Sequence, residues 1–249
     1  MDKQQETKSF YDEYWPKNIP DYSKTKEHVF SLLPQRDFKL ALDAGCGTGV
    51  CSLALSEKAE KVMGVDISGE CINTAKELAN KLNRNNIEFK KASLLELPFK
   101  DETFDLVFSW GVIHHTVNPI KALDELVRIL QKDGVLILAV YLKTNFTFFH
   151  EAIRKICLRL SPPLKNAFIK FVTSFVKIAE KFGKTTKVRD DTWIEAQVED
   201  WFFVPEKHFF KIEEMKVLFE KRGLSFELLC PQTGRFKSSS NFIVRGVKK

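Results

Sequence analysis

Cysteine is sparse in this chain and spaced for neither of its usual structural uses. The five cysteines among 249 residues (Cys46, Cys51, Cys71, Cys157 and Cys230) are odd in number and contain no C-x-x-C pair. That argues against a disulfide framework and against a zinc site, and no metal is called for. Long apolar runs are also missing: no charge-free stretch approaches the ~20 residues that cross a bilayer. The opening Met1-Asp2-Lys3-Gln4-Gln5-Glu6 is too polar for a signal peptide, so the expected location is the cytoplasm. Neither sign of charge dominates, with 39 basic against 33 acidic residues. With 44% hydrophobic and 29% charged residues the chain can bury a sizeable core, and one domain over 1–249 accommodates its length.

Glycine is scarce as well, eleven in all, and three of the eleven fall at alternate positions 45, 47 and 49. They sit in Leu42-Asp43-Ala44-Gly45-Cys46-Gly47-Thr48-Gly49, behind the apolar run from Phe38 and ahead of the helix-like Val50-Cys51-Ser52-Leu53-Ala54-Leu55. Strand, glycine turn and helix in that order form the first crossover of a doubly wound sheet, where ligands bind beyond the carboxyl ends of the strands. Without a Cβ the turn can adopt positive φ and come close to a ligand. Asp43, at the strand end, suits a cationic ammonium, and the N–H groups opening the next helix suit a carboxylate. A second acid, Asp66, closes the run Val62-Met63-Gly64-Val65 and offers two oxygens to the hydroxyls of a ribose. An aminoacyl end joined to a nucleoside describes S-adenosylmethionine. A dinucleotide site would need a third glycine in G-x-G-x-x-G, and the spacing here is G-x-G-x-G with valine at position 50.

On these motifs residues 39–142 resemble the core of a class I S-adenosylmethionine-dependent methyltransferase, of the bacterial small-molecule type. Further features agree: Ile87 to Leu94 reads as the third strand, Leu97-Pro98-Phe99 as the turn that follows, and Phe104-Asp105-Leu106-Val107-Phe108-Ser109 as the fourth strand. Pro119 to Leu130 reads as a helix with Ile120, Leu123, Leu126, Val127 and Leu130 on one face, and Gly134 to Leu142 as a buried strand. The resemblance implies an α/β fold, a doubly wound, seven-stranded Rossmann-like sheet of order 3-2-1-4-5-7-6 with strand seven antiparallel. Helices would cover both faces, with a helical insert after strand five. It implies S-adenosyl-L-methionine as methyl donor and S-adenosyl-L-homocysteine as product, held by Asp43, Gly45, Cys46, Gly47, Gly49, Asp66, Ile67, Ser93, Leu94 and Ser109. Ser93 departs from the family, where an Asp commonly accepts the adenine amino proton; here a hydroxyl or the backbone of Ser93 and Leu94 must do so.

Outside the core, residues 1–37 are expected to form lid helices, 143–198 the insert and 199–249 the rest of the core. Phe10-Tyr11-Asp12-Glu13-Tyr14-Trp15 resembles the aromatic N-terminal lid of these enzymes, with Tyr11 a candidate donor contact because aromatic faces suit a sulfonium. Between Lys143 and Arg189 eleven basic residues face two acids, Glu151 and Glu180. Pro162-Pro163 splits this segment into two helices. In the second, Lys170, Lys177, Lys181 and Lys184 form a stripe, leaving Phe168, Phe171, Val172, Phe175, Ile178, Ala179 and Phe182 on a broad apolar face. The helices can pack on the domain with lysines outward, the leading expectation, cover the substrate, or lie on an anionic membrane through residues 146–182. Nucleic acid fits poorly, since the aromatics follow a helical core pattern. Helix 212–222, strand 224–229 and strand 241–247 complete the core.

Methyl transfer from a sulfonium needs alignment more than a catalytic side chain. An acceptor hydroxyl would have to lose a proton, and histidine is the natural base. The candidates are His115, preferred because it follows strand four, its neighbour His114, and His208. The expected acceptor is a small molecule methylated at oxygen, nitrogen or carbon: hydrophobic, sugar-containing or lipid-like. RNA or protein methylation lacks the Asn-Pro-Pro-Tyr type of motif after strand four, where this chain has Ser109-Trp110-Gly111-Val112. A non-catalytic donor-binding module is the remaining alternative.

Overall fold

Strand β1 (Phe38–Ala44) carries buried Phe38, Ala41, Leu42 and Ala44 and lies inside the sheet with a neighbour on each side, as suits a strand apolar on both faces. A computed structural model describes residues 2–14, 19–181, 191–230 and 241–249. Trp15, Phe182, Lys184, Lys187 and Arg189 lie outside the described residues. The described chain condenses into two compact units, residues 1–143 with 206–249, and residues 144–205. The second unit, residues 144–205, contains most of the segment 143–198 read from the sequence as the insert.

In the first unit, helices α1 (Lys3–Tyr14) and α2 (Tyr22–Leu32) precede β1. Then come α3 (Val50–Leu55), β2 (Ala59–Asp66), α4 (Gly69–Lys81), β3 (Ile87–Lys91), β4 (Phe104–Trp110), a 3-10 turn (Ile113–His115), α5 (Pro119–Ile129) and β5 (Leu130–Tyr141). After the second unit, α9 (Ile212–Glu220), β6 (Glu227–Cys230) and β7 (Asn241–Val247) close the sheet. The strand order is β3-β2-β1-β4-β5-β7-β6, parallel from β3 to β5 and antiparallel at β7, as the family resemblance implies. Register sets Asp43 opposite Gly64 on one side and Phe108 on the other, which puts the ends of β1, β2 and β4 at one edge.

Two apolar layers sandwich this sheet. One contains Leu42, Val107, Leu123, Leu126, Leu136, Phe219 and Phe242; the other contains Val29, Leu32, Phe38, Ala54, Leu106 and Phe108. Burying each such Leu or Phe is worth about 1.5–3 kcal/mol. Helix α5 starts with Pro119 behind the Asn118 cap, whose Oδ1 accepts the Lys121 N–H at 3.0 Å. Its buried face is Ala122, Leu123, Leu126, Val127 and Ile129; Ile120, expected there, is exposed. The Leu97-Pro98-Phe99 turn is fixed by Arg128, which donates to the carbonyls of Phe99 (2.8 Å) and Leu97 (3.1 Å) while forking onto Glu125.

The second unit holds α6 (Thr147–Cys157), α7 (Pro162–Lys181) and α8 (Asp191–Phe202). The prolines divide α6 from α7 as expected; α8 is a third helix that runs across the expected boundary at 198. Ile169 and Thr173 of α7, Arg154 and Cys157 of α6, and Ile194, Ala196 and Val198 of α8 are buried. Phe168 meets Phe202 and Phe203 edge-on, and Arg154 donates to the carbonyls of Val204 (2.7 Å) and Pro205 (3.2 Å). The apolar face of α7 is therefore divided: Ile169 turns inward, whereas Phe171, Phe175 and Ile178 face outward with half or more of their surface exposed.

Candidate active site

At the carboxyl edge of β1 the chain must leave the sheet and enter α3 within five residues, and three glycines make this possible. Gly45, Gly47 and Gly49 all have positive φ, 82°, 50° and 81°. A Cβ at Gly45 would overlap the methyls of Val112, so that position excludes any side chain. The N–H groups of Gly45 and Cys46 both donate to the Val65 carbonyl (2.8 and 2.9 Å), that of Gly49 to Cys46, and that of Gly47 to Asp66 Oδ2 at 2.9 Å. These amides shape the turn itself, and Val50 and Cys51, which open α3, line the cavity beyond it.

The turn floors a cavity of about 390 Å³. Of the expected donor contacts, Asp43, Gly45, Cys46, Gly47, Asp66, Ile67, Ser93, Leu94 and Tyr11 line it. Gly49 does not; it caps α3 behind the floor. Ser109 does not either, since its hydroxyl donates to the Ala44 carbonyl at 3.0 Å and is spent inside the sheet.

Two buried carboxylates dominate the electrostatics. Asp43 is fully enclosed and accepts the Ser52 hydroxyl at 2.6 Å; burial, with the negative Asp66 nearby, pushes it up to about 7. Asp66 is raised by burial too, against the hydrogen bonds it accepts from the amides of Ser68 and Gly47, both at 2.9 Å. Among the described residues no basic side chain pairs with either. Buried charge normally finds a partner, and a ligand with a cationic end and vicinal hydroxyls would supply it. The residues present fit S-adenosylmethionine.

At the other end Ser93 Oγ accepts from Gln4 Nε2 (2.9 Å) and from the Leu95 amide (3.2 Å), which brings α1 to the rim. The Asp12 carboxylate of the same helix accepts the Ser68 hydroxyl at 2.6 Å. Tyr11 stands edge-on to His115, ring centroids 5.7 Å apart. Helix α2, within the expected lid region, adds Lys24, Thr25, His28 and Val29 to the lining, residues not named from the sequence, with His28 edge-on to Trp110 at 4.6 Å. Their spacing of three and four residues behind the Asp21 cap is the signal that marks one helix face.

Of the three candidate histidines, only His115 lines the cavity among the described residues. Its Nδ1 donates to the Glu206 carbonyl at 2.9 Å, which sets the ring proton on Nδ1 and makes Nε2 the acceptor nitrogen of the neutral ring. His114 turns into the core against Tyr141, with neither ring nitrogen hydrogen-bonded, and burial holds it well below the usual imidazole range. His208 sits beside Glu206 at 3.6 Å, away from the cavity, its amide bonded to the His114 carbonyl.

The sequence pattern of the methyltransferase domain family matches residues 42–138. An uncharacterized protein of Methanocaldococcus jannaschii is 36% identical over 170 residues, covering 59% of this chain and 69% of that protein. A ubiquinone/menaquinone biosynthesis C-methyltransferase of Campylobacter jejuni is 33% identical over 144 residues, covering 55% of this chain and 58% of its own length, little more than half of that relative. Among solved structures, the YcgJ protein of Bacillus subtilis shares the fold, with a TM-score of 0.62 at 15% identity over 91% of this chain and 99% of that one. The chain belongs to the class I S-adenosylmethionine-dependent methyltransferases. Its methyl donor is S-adenosyl-L-methionine.

Proposed function

We propose that the protein methylates a small, apolar, hydroxyl-bearing ring compound, at the oxygen or at the ring carbon beside it. One observation carries this reading. The cavity that holds Asp43 and Asp66 continues along Val29, Trp110, Val112 and Val117, with the imidazole of His115 among these apolar walls. Such a lining favours an apolar acceptor with a few placed polar groups. The name of the Campylobacter relative, a quinone-biosynthesis C-methyltransferase, agrees with a ring acceptor.

In this reading Asp66 takes the ribose hydroxyls, Asp43 the ammonium, and Gln4 and Ser93 border the adenine. Lys24 and Thr25 of α2, with the start of α3, meet the methionyl carboxylate. The bound donor supplies a methyl carbon on a sulfonium, which leaves sulfur with its bonding electron pair as the acceptor atom attacks in line. His115 Nε2 takes the acceptor's hydroxyl proton and passes it to water, and the Glu206 carbonyl stabilises the imidazolium through Nδ1–H; where the ring carbon takes the methyl, that carbon's own proton then moves to the oxygen as the ring regains aromaticity.

The test is to incubate the protein with donor and four acceptor classes, namely apolar phenols, amines, tRNA and a protein mixture, and to measure S-adenosylhomocysteine. Turnover is expected with the phenols. His115→Ala should lower kcat by about 10²–10⁴ with donor affinity unchanged. Turnover confined to tRNA or protein overturns the acceptor assignment, and donor binding without turnover on any class points to a donor-binding module.

A further inference from the structure

Of the sixteen large hydrophobic side chains exposed among the described residues, ten lie between Phe146 and Ile178, and every exposed phenylalanine is among them. They are ordered by the helices that carry them. On α7 Leu164, Phe171, Phe175 and Ile178 recur at sevens, fours and threes, so they form one stripe along the helix. On α6 Phe149, Ile153 and Ile156 do the same. These stripes are not the faces on which the unit packs: Ile169 and Thr173 of α7 and Arg154 and Cys157 of α6 are the buried positions.

Basic side chains flank both stripes. Lys170 lies about 100° around α7 from Phe171, and Lys155 about 100° around α6 from Ile156; both are exposed. Between residues 147 and 181 seven basic residues stand against two acids, and one of those, Glu151, is bonded to Arg154 at 3.0 Å. Large apolar and aromatic side chains on one face, lysines at its margins and too little apolar length to cross a bilayer are the features of an interfacial helix. A second copy of the chain is a poorer occupant, because pairing this face with itself would set lysines against lysines.

We propose that α6 and α7 form a docking face for an anionic lipid bilayer, with the phenylalanine stripes entering the headgroup and acyl boundary to a depth of about 5–10 Å and Lys155 and Lys170 meeting lipid phosphates. The docking is peripheral and reversible. It does not depend on which acceptor the active site takes.

The full chain is to be sedimented with vesicles of phosphatidylcholine alone and of phosphatidylcholine mixed with phosphatidylglycerol. Binding is expected to the mixed vesicles, weak to the neutral ones, and reduced by raised salt. Phe171→Ser with Phe175→Ser should lower partitioning at least tenfold. Lys155→Glu with Lys170→Glu should remove the preference for anionic lipid. Calorimetry of S-adenosylhomocysteine binding and helix content by circular dichroism check that the variants stay folded. If the α7 pair loses helix, Phe149→Ser with Ile153→Ser on the α6 stripe replaces it in the same assay. No sedimentation with anionic vesicles, or equal sedimentation of folded variants, overturns the proposal. So does a dimer, seen by ultracentrifugation, that the phenylalanine substitutions dissociate, because the face would then join two copies of the chain.

Discussion

Asp43 pulls stability and binding in opposite directions. Its carboxyl titrates near 7 when folded, against 3.8 as the ordinary value. Between those values the folded protein keeps a proton that the unfolded chain has lost, so stability falls as pH rises across the window and the full cost is present above about pH 7. Asp43→Asn keeps an acceptor for Ser52 and sheds that cost. Its melting temperature should exceed that of the parent at pH 8, with the difference closing toward pH 4. Donor affinity should fall, because the ammonium loses its counter-charge. In the parent, affinity should rise from pH 6 to about 7.5, below the donor's own α-amino pKa of ~7.7–8.0; a flat calorimetric profile would place the ammonium elsewhere. Asp66→Ala should weaken S-adenosylmethionine and S-adenosylhomocysteine alike, by about 1.5–3 kcal/mol for each charged hydrogen bond lost. Asp66→Asn, which still accepts from one amide, should lose less. Both acids were legible in the sequence because each ends an apolar strand run. The division of labour between His114 and His115 was not. Neighbours in a 3-10 turn point about 120° apart, and which one meets the cavity depends on Tyr141 and the Glu206 carbonyl, far away in sequence.

Helices α1 and α2 supply the side of the cavity that the sheet does not. Helix α1 has only Thr7 and Tyr14 buried, so polar bonds do much of the holding: Gln4 to Ser93, Asp12 to Ser68, and Lys3 to Glu206 at 2.7 Å. Elements with few buried apolar contacts open at low free-energy cost. Backbone amides of residues 3–14 should exchange faster than those of β1 and β4, slow when S-adenosylhomocysteine binds, and speed up in Asp12→Ala; hydrogen exchange with mass spectrometry reads all three. Equal exchange with and without ligand would make α1 a fixed wall. The strand, glycine turn and α3 were readable because their residues carry the conformation locally. The spacing of Lys24, Thr25 and His28 marks one face of α2, but tertiary placement made that face part of the site. The same limit applies to α7, whose period revealed a helix but not that Phe171 and Phe175 would face outward while Ile169 packed.

Each unit has its own closure in the molecule as a whole. Where the chain leaves the first unit and returns, the ends are already joined within that unit: the Lys143 amide donates to the Phe210 carbonyl at 2.8 Å, and the Phe210 amide to the Tyr141 carbonyl at 2.9 Å. The cavity lining, from Gln4 to Val117, belongs to the first unit throughout. An insert whose entry and exit are tied together in the host can be exchanged for a short linker at little entropic cost, since closing a short loop between fixed neighbours loses few conformations. Replacing Thr144–Pro205 by a short Gly-Ser linker should therefore leave a folded first unit that binds S-adenosylhomocysteine within about threefold of the parent, a change of about 0.65 kcal/mol, because every residue lining the cavity is kept. The shortened chain should no longer sediment with anionic vesicles. Calorimetry and sedimentation on one preparation separate the two roles. Loss of donor binding in a chain that still melts cooperatively would show that the helical unit contributes to the donor site.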